Sequence, residues 1–345
     1  MRHEYTKILQ DIEADIGRLL PVLPDKLWFE GIFGPLPVFP AEDVRKALNA
    51  PALDLLRRGG KRWRPLLLVL CARAFGRDDG AACLAPLVEI VHGGTLIVDD
   101  IEDGADTRRG GPAIHLVHGV DAAVNAGNLL YFLPLVLIDR LEAPPAVRLL
   151  LHSRYALHMR RLHLGQAMDI TWHRSHGSLP SQEQYLAMCA LKTGVLARAA
   201  AEFGVIAAGA DLAMAESLGG VFEEAGVAFQ IIDDVKNLKS GNPGKKRGDD
   251  IVEGKKSLPV IVACAREPRL AADLARCFDM ARSGGPEAPE VEEAIGLITR
   301  TGAIDEAERI ARSLIANVEA KLKDLAPPGP AGDSLAGILP LLAGH

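Results

Sequence analysis

The chain has little of several features that would each indicate a particular class of protein. Aromatic residues make up 5% of its 345 residues, and no segment alternates apolar and polar side chains between turn residues, so sheet architectures are disfavoured. Five widely spaced cysteines form no CxxC pair, which argues against a disulfide framework, a zinc site or a redox motif. The net charge of −6 disfavours non-specific binding to nucleic acid. These deficits favour a helical protein with reduced cysteines.

The sequence also lacks the usual marks of secretion and membrane insertion. Residues 1–17 contain acids and no apolar core, unlike a signal peptide. The longest charge-free apolar run, 122–138, contains two asparagines, a glycine and a proline, whereas a spanning helix needs about 20 mostly apolar residues. We therefore predict a buried helix there, no transmembrane segment and a cytoplasmic location.

Alanine, leucine and glycine dominate what is present, and 48% of the residues are apolar, enough for a sizeable core. Residues 21–40 hold five prolines and predict an irregular connector after a short N-terminal helix. From Arg64 onwards the pattern is helical almost throughout. We predict one all-α domain over 1–345, with an N-terminal helix and proline-rich connector in 1–50 and a helical core in 51–345.

A first acidic motif, "IVDDIED", begins at Ile97 and follows a long apolar stretch. On a helix Asp99 and Asp103 share a face, and Asp100 points about 100° away. Like charges on one face are unfavourable unless a cation lies between them. Carboxylates in this arrangement suit Mg²⁺, which keeps several waters and bridges to phosphate. The alternative is a solvated acidic helix end.

A second motif, "IIDDVKN", begins at Ile231. Asp233 and Asn237 again share a face, and Gln230 joins them three residues before Asp233. Asn237 can coordinate a metal through its carbonyl but brings no charge. We therefore predict weaker metal binding at this motif and expect Asn237→Asp to be tolerated.

Basic segments alternate with the acidic motifs along this acidic chain. They are "RRGGKRWRP", "TRRGGP", "LKTG" and the Gly- and Lys-rich "KSGNPGKKRGDDIVEGKK". Basic segments are often only solvated surface or nucleic-acid sites. The alternation with acids favours metal–diphosphate sites instead.

From Gly59 to Pro259 the chain resembles the trans-type isoprenyl diphosphate synthases. The matching segments are "GGKRWRP", "EIVHGGTLIVDDIED", "RRGGPAIHLVHG", "GQAMDI", "KTG", "FQIIDDVKNL" and "GDDIVEGKKSLP". The uninterrupted DDIED, Val98 before it and Asn237-Leu238 in the second motif are most similar to the eukaryotic-type geranylgeranyl diphosphate synthases. The resemblance implies a helical bundle around a deep central cavity, the isoprenoid synthase type I fold, as a homodimer.

The same resemblance implies roles for individual residues. Mg²⁺ on the allylic diphosphate would be held by Asp99, Asp100, Asp103 and Asp233. Cations contacting that diphosphate would be Arg108, Lys192, Lys245 and Lys255. Isopentenyl diphosphate would be bound by Lys61, Arg64, His92 and Arg109. The reacting centre would be lined by Thr193 and Gln230. On an apolar helix a lone histidine such as His92 is more often a core residue.

These residues suit a condensation in which an allylic C–O bond breaks and isopentenyl diphosphate attacks. Mg²⁺, lysine and arginine would stabilise the leaving diphosphate, and no nucleophilic serine or cysteine is needed. Alternatives are a terpene cyclase, a head-to-head synthase or a non-catalytic partner subunit. The GGKRWRP segment and the RRG after the first acidic motif favour the elongating enzyme over a head-to-head synthase, since they supply the site for the second diphosphate. Lys61, Arg64 and Arg109 argue against a terpene cyclase, which needs no site for isopentenyl diphosphate. A non-catalytic subunit typically loses acidic positions.

Product length is predicted from the two residues one turn before Asp99. Gly94 and Thr95 are small, so a growing chain would pass them, and we expect a product longer than farnesyl diphosphate, with geranylgeranyl diphosphate favoured. Gly94→Phe would then shorten the product. The alternative is that Gly93 and Gly94 only allow a close helix–helix contact.

Overall fold

The computed structural model describes residues 3–76, 81–174, 179–241 and 246–343. Within these ranges the chain is almost entirely helical. Its strands are Thr107–Arg108 (β1) and Gly111–Pro112 (β2), which pair as an antiparallel hairpin. The predicted all-α class is confirmed.

Most helices follow one another along the chain with short connections. In chain order they are α1 (His3–Leu19), α2 (Lys26–Phe33), α3 (Ala41–Val44), α4 (Ala50–Arg57), α5 (Trp63–Ala74), α6 (Ala85–Asp103), α7 (Ile114–His118), α8 (Val120–Phe132), α9 (Leu135–Asp139), α10 (Pro145–Arg174), α11 (Gln182–Cys189), α12 (Val195–Ala207), α13 (Leu212–Lys239), α14 (Asp249–Glu253), α15 (Leu258–Arg266), α16 (Leu270–Gly284), α17 (Pro289–Arg300), α18 (Ala303–Leu325), α19 (Pro330–Ala336) and α20 (Leu339–Ala343). Two π-helical segments, Arg45–Asn49 and Ala190–Gly194, and a 3₁₀ turn, Ala82–Leu84, complete them.

Two compact units make up the chain. The first comprises Met1–Tyr155, Ala199–Glu216 and Pro327–Leu335, and the second comprises Ala156–Arg198, Ser217–Ala326 and Ala336–His345. The organisation as one domain, with 1–50 as N-terminal helix and connector, stays a prediction.

The segment predicted to be an irregular connector contains a helix, α2, and this part of the prediction is wrong. Its prolines lie at 21, 24, 35, 37 and 40, which leaves the stretch between the second and third of them free of proline. Asp25 starts the helix by accepting a hydrogen bond from the Trp28 backbone N–H at 2.8 Å. Phe29 is buried and packs edge-on against Trp28 with ring centroids 5.2 Å apart.

In the first unit α6 lies unusually close to α8, where two glycines meet. A Cβ on Gly94 would be 2.8 Å from the Gly127 carbonyl oxygen, and one on Gly127 would be 2.9 Å from Val98 Cγ2. Neither glycine can be enlarged without moving the partner helix. This crossing fixes the position of α6, whose last turn carries the first acidic motif.

The apolar run 122–138 forms two helices instead of one, because the chain turns at Leu133 and Pro134 between α8 and α9. It is also less buried than predicted, since Val124 and Phe132 are exposed. Segments Ala82–Asp103 and Val120–Asp139 are long and apolar enough to cross a membrane, with 61% and 39% of the tested stretch buried. Core helices of soluble proteins pass the same test, so this is weak evidence for insertion.

The core of the second unit is formed by apolar faces of α11, α13, α14, α15, α16, α17 and α18. Ile231 and Val235 contribute from α13, Leu258 and Ile261 from α15, and Phe278 from α16. Ile231 and Val235 flank the acid pair of the second motif. Their burial therefore sets the rotation of α13 and the direction of those acids.

Candidate active site

The last turn of α6 carries the first acidic motif, as predicted. Asp99 and Asp103 lie one turn apart, and both are half-buried. The helix ends because Gly104 adopts a left-handed conformation with φ of 65° and returns its N–H to the Asp100 carbonyl. Carboxylates at a helix C-terminus meet the negative end of the macrodipole. Two of them side by side therefore favour a bound cation.

Asp100, the middle acid of the motif, is buried and pairs with an arginine. Its side chain has no solvent exposure. Its Oδ1 accepts a hydrogen bond from Arg108 Nε at 2.7 Å, and Arg108 Nη2 also lies 3.6 Å from Asp99 Oδ2. Its carboxylate is thus buried against a guanidinium, and a role for Asp100 in metal binding stays a prediction. Asp100 holds Arg108 beside Asp99.

The β1–β2 hairpin directs two consecutive arginines to different partners. Its two turn residues, Arg109 and Gly110, both have positive φ, 50° and 75°, as in a type I′ turn. Arg58 supports the hairpin from the end of α4 by donating to the carbonyls of Arg108 at 2.9 Å and Pro112 at 2.6 Å. Arg108 therefore reaches the acidic motif, and Arg109 reaches Glu89 on α6.

A cationic cluster surrounds His92, which lies about two turns before Asp99 on α6. Arg64 is buried, and its guanidinium carbon lies 4.4 Å from the Trp63 ring centroid. Arg64 forms no hydrogen bond or ion pair with any residue that the structure describes. Burial lowers the pKa of Arg64 to about 10, so it stays charged at neutral pH. A buried, unpaired guanidinium is costly without an anion, which marks an anion site.

His92 is neutral in this cluster. Burial lowers the pKa of its imidazole well below the usual value, and Arg64, Arg109, Arg108 and Arg62 lower it further. A neutral imidazole can donate one hydrogen bond to an oxygen anion without adding charge. Lys61, also predicted for this site, is exposed at the start of the same segment.

In the second unit Lys192 lies in the π-helical segment Ala190–Gly194 and donates to Asp169 Oδ2 at 2.5 Å. Asp169 is buried on α10. Gly165, one turn earlier, lets the two backbones approach, since its Cβ would lie 2.5 Å from the Lys192 nitrogen. A π-helical turn inside a helix is often found at a functional site. Asp169 fixes the direction of the ammonium group.

The same turn brings Thr193 to Gln230. Gly194 contacts Gly226 on α13, whose Cβ would lie 2.6 Å from the Gly194 Cα. This close approach lets Thr193 Oγ1 donate to Gln230 Oε1 at 2.8 Å. Asp234 accepts from Gln230 Nε2 at 2.8 Å, so both ends of the carboxamide are held.

Asp234 is the buried member of the second acid pair, whereas Asp233 is half-buried. Tyr185 donates its hydroxyl to Asp234 Oδ2 at 2.6 Å. Burial raises the pKa of Asp234 to about 6, against the opposing effect of the bonds from Tyr185 and Gln230. Asp233 is therefore the more exposed carboxylate of this pair.

Asn237, predicted to face a metal, is engaged with the protein backbone, and its role at a metal stays a prediction. Its side chain has no solvent exposure, and its Oδ1 accepts from the Asp250 backbone N–H at 3.3 Å. Its backbone carbonyl accepts from the Gly248 N–H at 3.0 Å. Asn237 thus fastens the start of α14 to α13. An aspartate there would place a carboxylate in a fully buried site, so tolerance of Asn237→Asp no longer follows.

Two lysines of the Gly- and Lys-rich segment were predicted to contact diphosphate. Lys255 follows α14, and its ammonium pairs with Glu253 and lies 3.9 Å from Asp250 Oδ1. Lys245 lies outside the described residues. The Lys255 backbone N–H donates to the Asp250 carbonyl at 2.9 Å, so the segment fastened by Asn237 also positions Lys255.

Gly94 does not face an open shaft. A Cβ there would meet the Gly127 carbonyl, Leu130 Cβ and Tyr131 Cε1 at 2.8, 2.9 and 3.2 Å. These contacts favour the alternative of a close helix–helix contact at Gly94, and its role in product length stays a prediction. Thr95 is half-buried and donates to the His92 carbonyl at 2.8 Å.

The residues present fit Mg²⁺ at the end of α6. Among the described residues no three histidine, cysteine or acidic side chains are grouped as a metal cluster. Mg²⁺ typically uses one or two carboxylates and completes its octahedron with water and phosphate oxygens. Asp99 and Asp103, one turn apart and half-buried, supply that number.

Several residues that shape the site were missed by the sequence analysis. They are Arg62, Glu89, Asp169, Tyr185 and Asp234. Four were visible as signals, because Arg62 belongs to "GGKRWRP", Glu89 is a lone acid in an apolar run, Asp169 belongs to "GQAMDI" and Asp234 to the second motif. Nothing in the sequence singles out Tyr185.

Comparisons with known proteins agree with this geometry. The family model "Polyprenyl synthetase" matches residues 45–296. A geranylgeranyl diphosphate synthase of Methanosarcina mazei is 33% identical over 290 residues, 83% of this chain and 85% of that protein. A geranylfarnesyl diphosphate synthase of Aeropyrum pernix is 36% identical over 281 residues, 77% of this chain and 83% of that protein.

Among solved structures, the geranylgeranyl pyrophosphate synthetase of Pyrococcus horikoshii superposes with a TM-score of 0.82 at 28% identity, over 99% of this chain and 98% of that one. The helical fold and the acidic motifs define a trans-prenyltransferase. The chain belongs to the polyprenyl synthetase family, whose members generally depend on Mg²⁺, use isoprenoid diphosphates and are typically dimeric. Its place in the eukaryotic-type branch stays a prediction.

Proposed function

We propose that this enzyme condenses isopentenyl diphosphate with an allylic diphosphate to give an all-trans polyprenyl diphosphate, chiefly geranylgeranyl diphosphate. The observation that carries the proposal is the buried, unpaired Arg64 beside Arg109 and a neutral His92. This cluster is an anion site separate from the acids that suit Mg²⁺. A terpene cyclase, which binds a single diphosphate substrate, needs no such second anion site.

The allylic diphosphate is bound through metal and cations. Asp99 and Asp103 would hold Mg²⁺ at the first motif and Asp233 at the second, and the metal would neutralise charge on the leaving diphosphate. The cations that contact the same diphosphate are Arg108, Lys192, Lys245 and Lys255. Asp100 and Asp169 aim Arg108 and Lys192, each through a charged hydrogen bond.

Isopentenyl diphosphate is bound by Lys61, Arg64, His92 and Arg109. Arg64 and Arg109 supply charge, and His92 supplies a hydrogen bond. The allylic C–O bond breaks, the isopentenyl double bond forms the new C–C bond, and the proton lost from the adduct passes to the released diphosphate. Gln230, held by Thr193 and Asp234, lines the reacting centre with a fixed carboxamide dipole.

Product length is supported by the relatives, which make geranylgeranyl and geranylfarnesyl diphosphate. Thr95 lies one turn before Asp99 on the same face of α6 and remains our candidate for a chain-length residue. Its small side chain leaves room for a product longer than farnesyl diphosphate.

We further propose a cytoplasmic homodimer. Apolar side chains are exposed along α7 and α8, at Leu116, Val117, Val120, Val124 and Phe132. Burial of such a set against a second copy removes apolar area from water, which favours association.

Incubation with isopentenyl diphosphate, Mg²⁺ and dimethylallyl, geranyl or farnesyl diphosphate in turn, followed by product analysis, tests the proposal. We expect a twenty-carbon diphosphate as the main product from each primer. Conversion of an allylic diphosphate to a hydrocarbon or alcohol without isopentenyl diphosphate would instead show a cyclase. Absence of any turnover would favour a non-catalytic partner subunit.

A further inference from the structure

Two arginines near the anion site have unusual backbone conformations. Arg62 and Arg109, with φ of 48° and 50°, are the non-glycine residues with positive φ in the described part of the chain. Such conformations are unfavourable for side chains with a Cβ and persist where the surroundings fix them. The two residues are 47 positions apart, yet their guanidinium groups meet at one carboxylate.

That carboxylate belongs to Glu89, which is buried in the apolar part of α6. Arg62 Nη1 donates to Glu89 Oε1, and Arg109 Nη2 lies 3.5 Å from the same oxygen. Arg62 also bonds Glu13 at 2.6 Å and the Leu56 carbonyl at 2.5 Å. Each guanidinium nitrogen of Arg62 therefore bonds a protein group. Among the residues that the structure describes, Arg109 has only long contacts, to Glu89 and to the Leu55 carbonyl, both at 3.5 Å.

Gly60 provides the room for both guanidinium groups. A Cβ there would lie 3.1 Å from Arg109 Nη2 and 3.4 Å from Arg62 Nη1. The Arg62 and Arg109 guanidiniums thus pack against one backbone position and share one counter-ion. Because an arginine has five N–H donors in a planar fork, Arg109 keeps donors for a ligand while Glu89 fixes its plane.

We propose that Glu89 is a positioning residue: its buried carboxylate holds Arg62 and Arg109 so that Arg109 and Arg64 offer an organised pair of guanidiniums to the diphosphate of isopentenyl diphosphate. The assignment rests on the proposed function for its ligand. Glu89 touches neither substrate. It acts through the arginines.

Glu89 is an anion beside an anion site. If only net charge mattered, removing the charge of Glu89 would strengthen diphosphate binding. The positioning role predicts that Glu89→Gln weakens binding, because Arg109 then loses its ionic anchor and is repelled by Arg62 and Arg64. The direction of the change therefore separates the two accounts.

The experiment measures KM for isopentenyl diphosphate and for the allylic diphosphate in wild type and Glu89→Gln. We expect KM for isopentenyl diphosphate to rise by about tenfold or more, as when a partner of a buried charge is removed, and KM for the allylic diphosphate to stay within about twofold. Titration calorimetry with inorganic diphosphate in EDTA gives the same comparison without turnover. If wild type shows no condensation, the proposed function fails, while weaker diphosphate binding by Glu89→Gln still supports the role of Glu89.

Glu202→Gln is the matched control. Glu202 is also fully buried and bonded by an arginine, with Arg154 Nε and Nη2 at 2.8 and 2.9 Å, but it lies outside the cluster. The substitution Glu202→Gln should lower thermal stability and leave KM unchanged for both substrates.

If Glu89→Gln does not fold, Glu89→Asp keeps the charge on a shorter side chain and should raise KM for isopentenyl diphosphate several-fold. The proposal would be overturned if a folded Glu89 variant had an unchanged or lower KM for isopentenyl diphosphate and bound inorganic diphosphate more tightly.

Discussion

Asp99 and Asp103 lie where the end of α6 adds negative potential to two neighbouring carboxylates. Replacing Asp103 with Ala should remove one metal ligand and lower kcat by about 10²–10³ or more, the loss typical of a preorganised electrostatic contact. Steady-state kinetics with circular dichroism checks this. Asp106→Ala, which removes an exposed carboxylate three residues later, is the control and should leave kcat nearly unchanged. A drop below about tenfold in folded Asp103→Ala would count against the ligand assignment.

For Asn237 we predict an effect on stability and none on the Mg²⁺ requirement. Asn237→Ala removes the acceptor for the Asp250 N–H in a fully buried site, which should cost about 1–3 kcal/mol of stability. Thermal unfolding should detect this, and the Mg²⁺ concentration for half-maximal activity should not change. Asp233→Asn, one turn earlier, should raise that concentration. If Asn237→Ala raised the Mg²⁺ requirement at unchanged stability, the residue would be a metal ligand after all.

At the scale of elements, the crossing of α6 and α8 is the contact that positions the acidic motif. Gly94→Ala would place a methyl group 2.8 Å from the Gly127 carbonyl and should cost about 1–3 kcal/mol by overpacking. Differential scanning calorimetry should show a lower Tm. The control is Gly17→Ala on α1, where a Cβ meets nothing within 4 Å and should be neutral or stabilising. An unchanged Tm for Gly94→Ala would show that α8 moves easily.

Helix α6 and its acids were predictable because a long apolar run that ends in an i, i+4 acid pair has few other interpretations. The pairing of Asp100 with Arg108 was not predictable, because the pattern gives the direction of Asp100 about the helix but not its neighbour on a hairpin later in the chain. In the same way, the pattern of α6 does not show that the face at Gly94 packs against α8. Proline content over 21–40 does not reveal α2, because the five prolines leave the stretch between Pro24 and Pro35 free for a helix.

For the whole molecule, the sequence was sufficient for the all-α class and for the family, because many motifs occur in a fixed order over two hundred residues. Contacts between residues distant in the chain could not be predicted, such as Arg62 with Glu89 or Tyr185 with Asp234. These contacts decide which charged residues are held by the protein and which remain for a ligand.

The most direct test of the central claim is the stoichiometry of diphosphate release. Wild-type enzyme, Mg²⁺ and an allylic diphosphate are mixed with and without isopentenyl diphosphate, and released diphosphate is measured against isopentenyl units incorporated. We predict one diphosphate released for each unit incorporated, no release without isopentenyl diphosphate and none in excess EDTA. Release from the allylic diphosphate alone, or full activity in EDTA, would contradict the account.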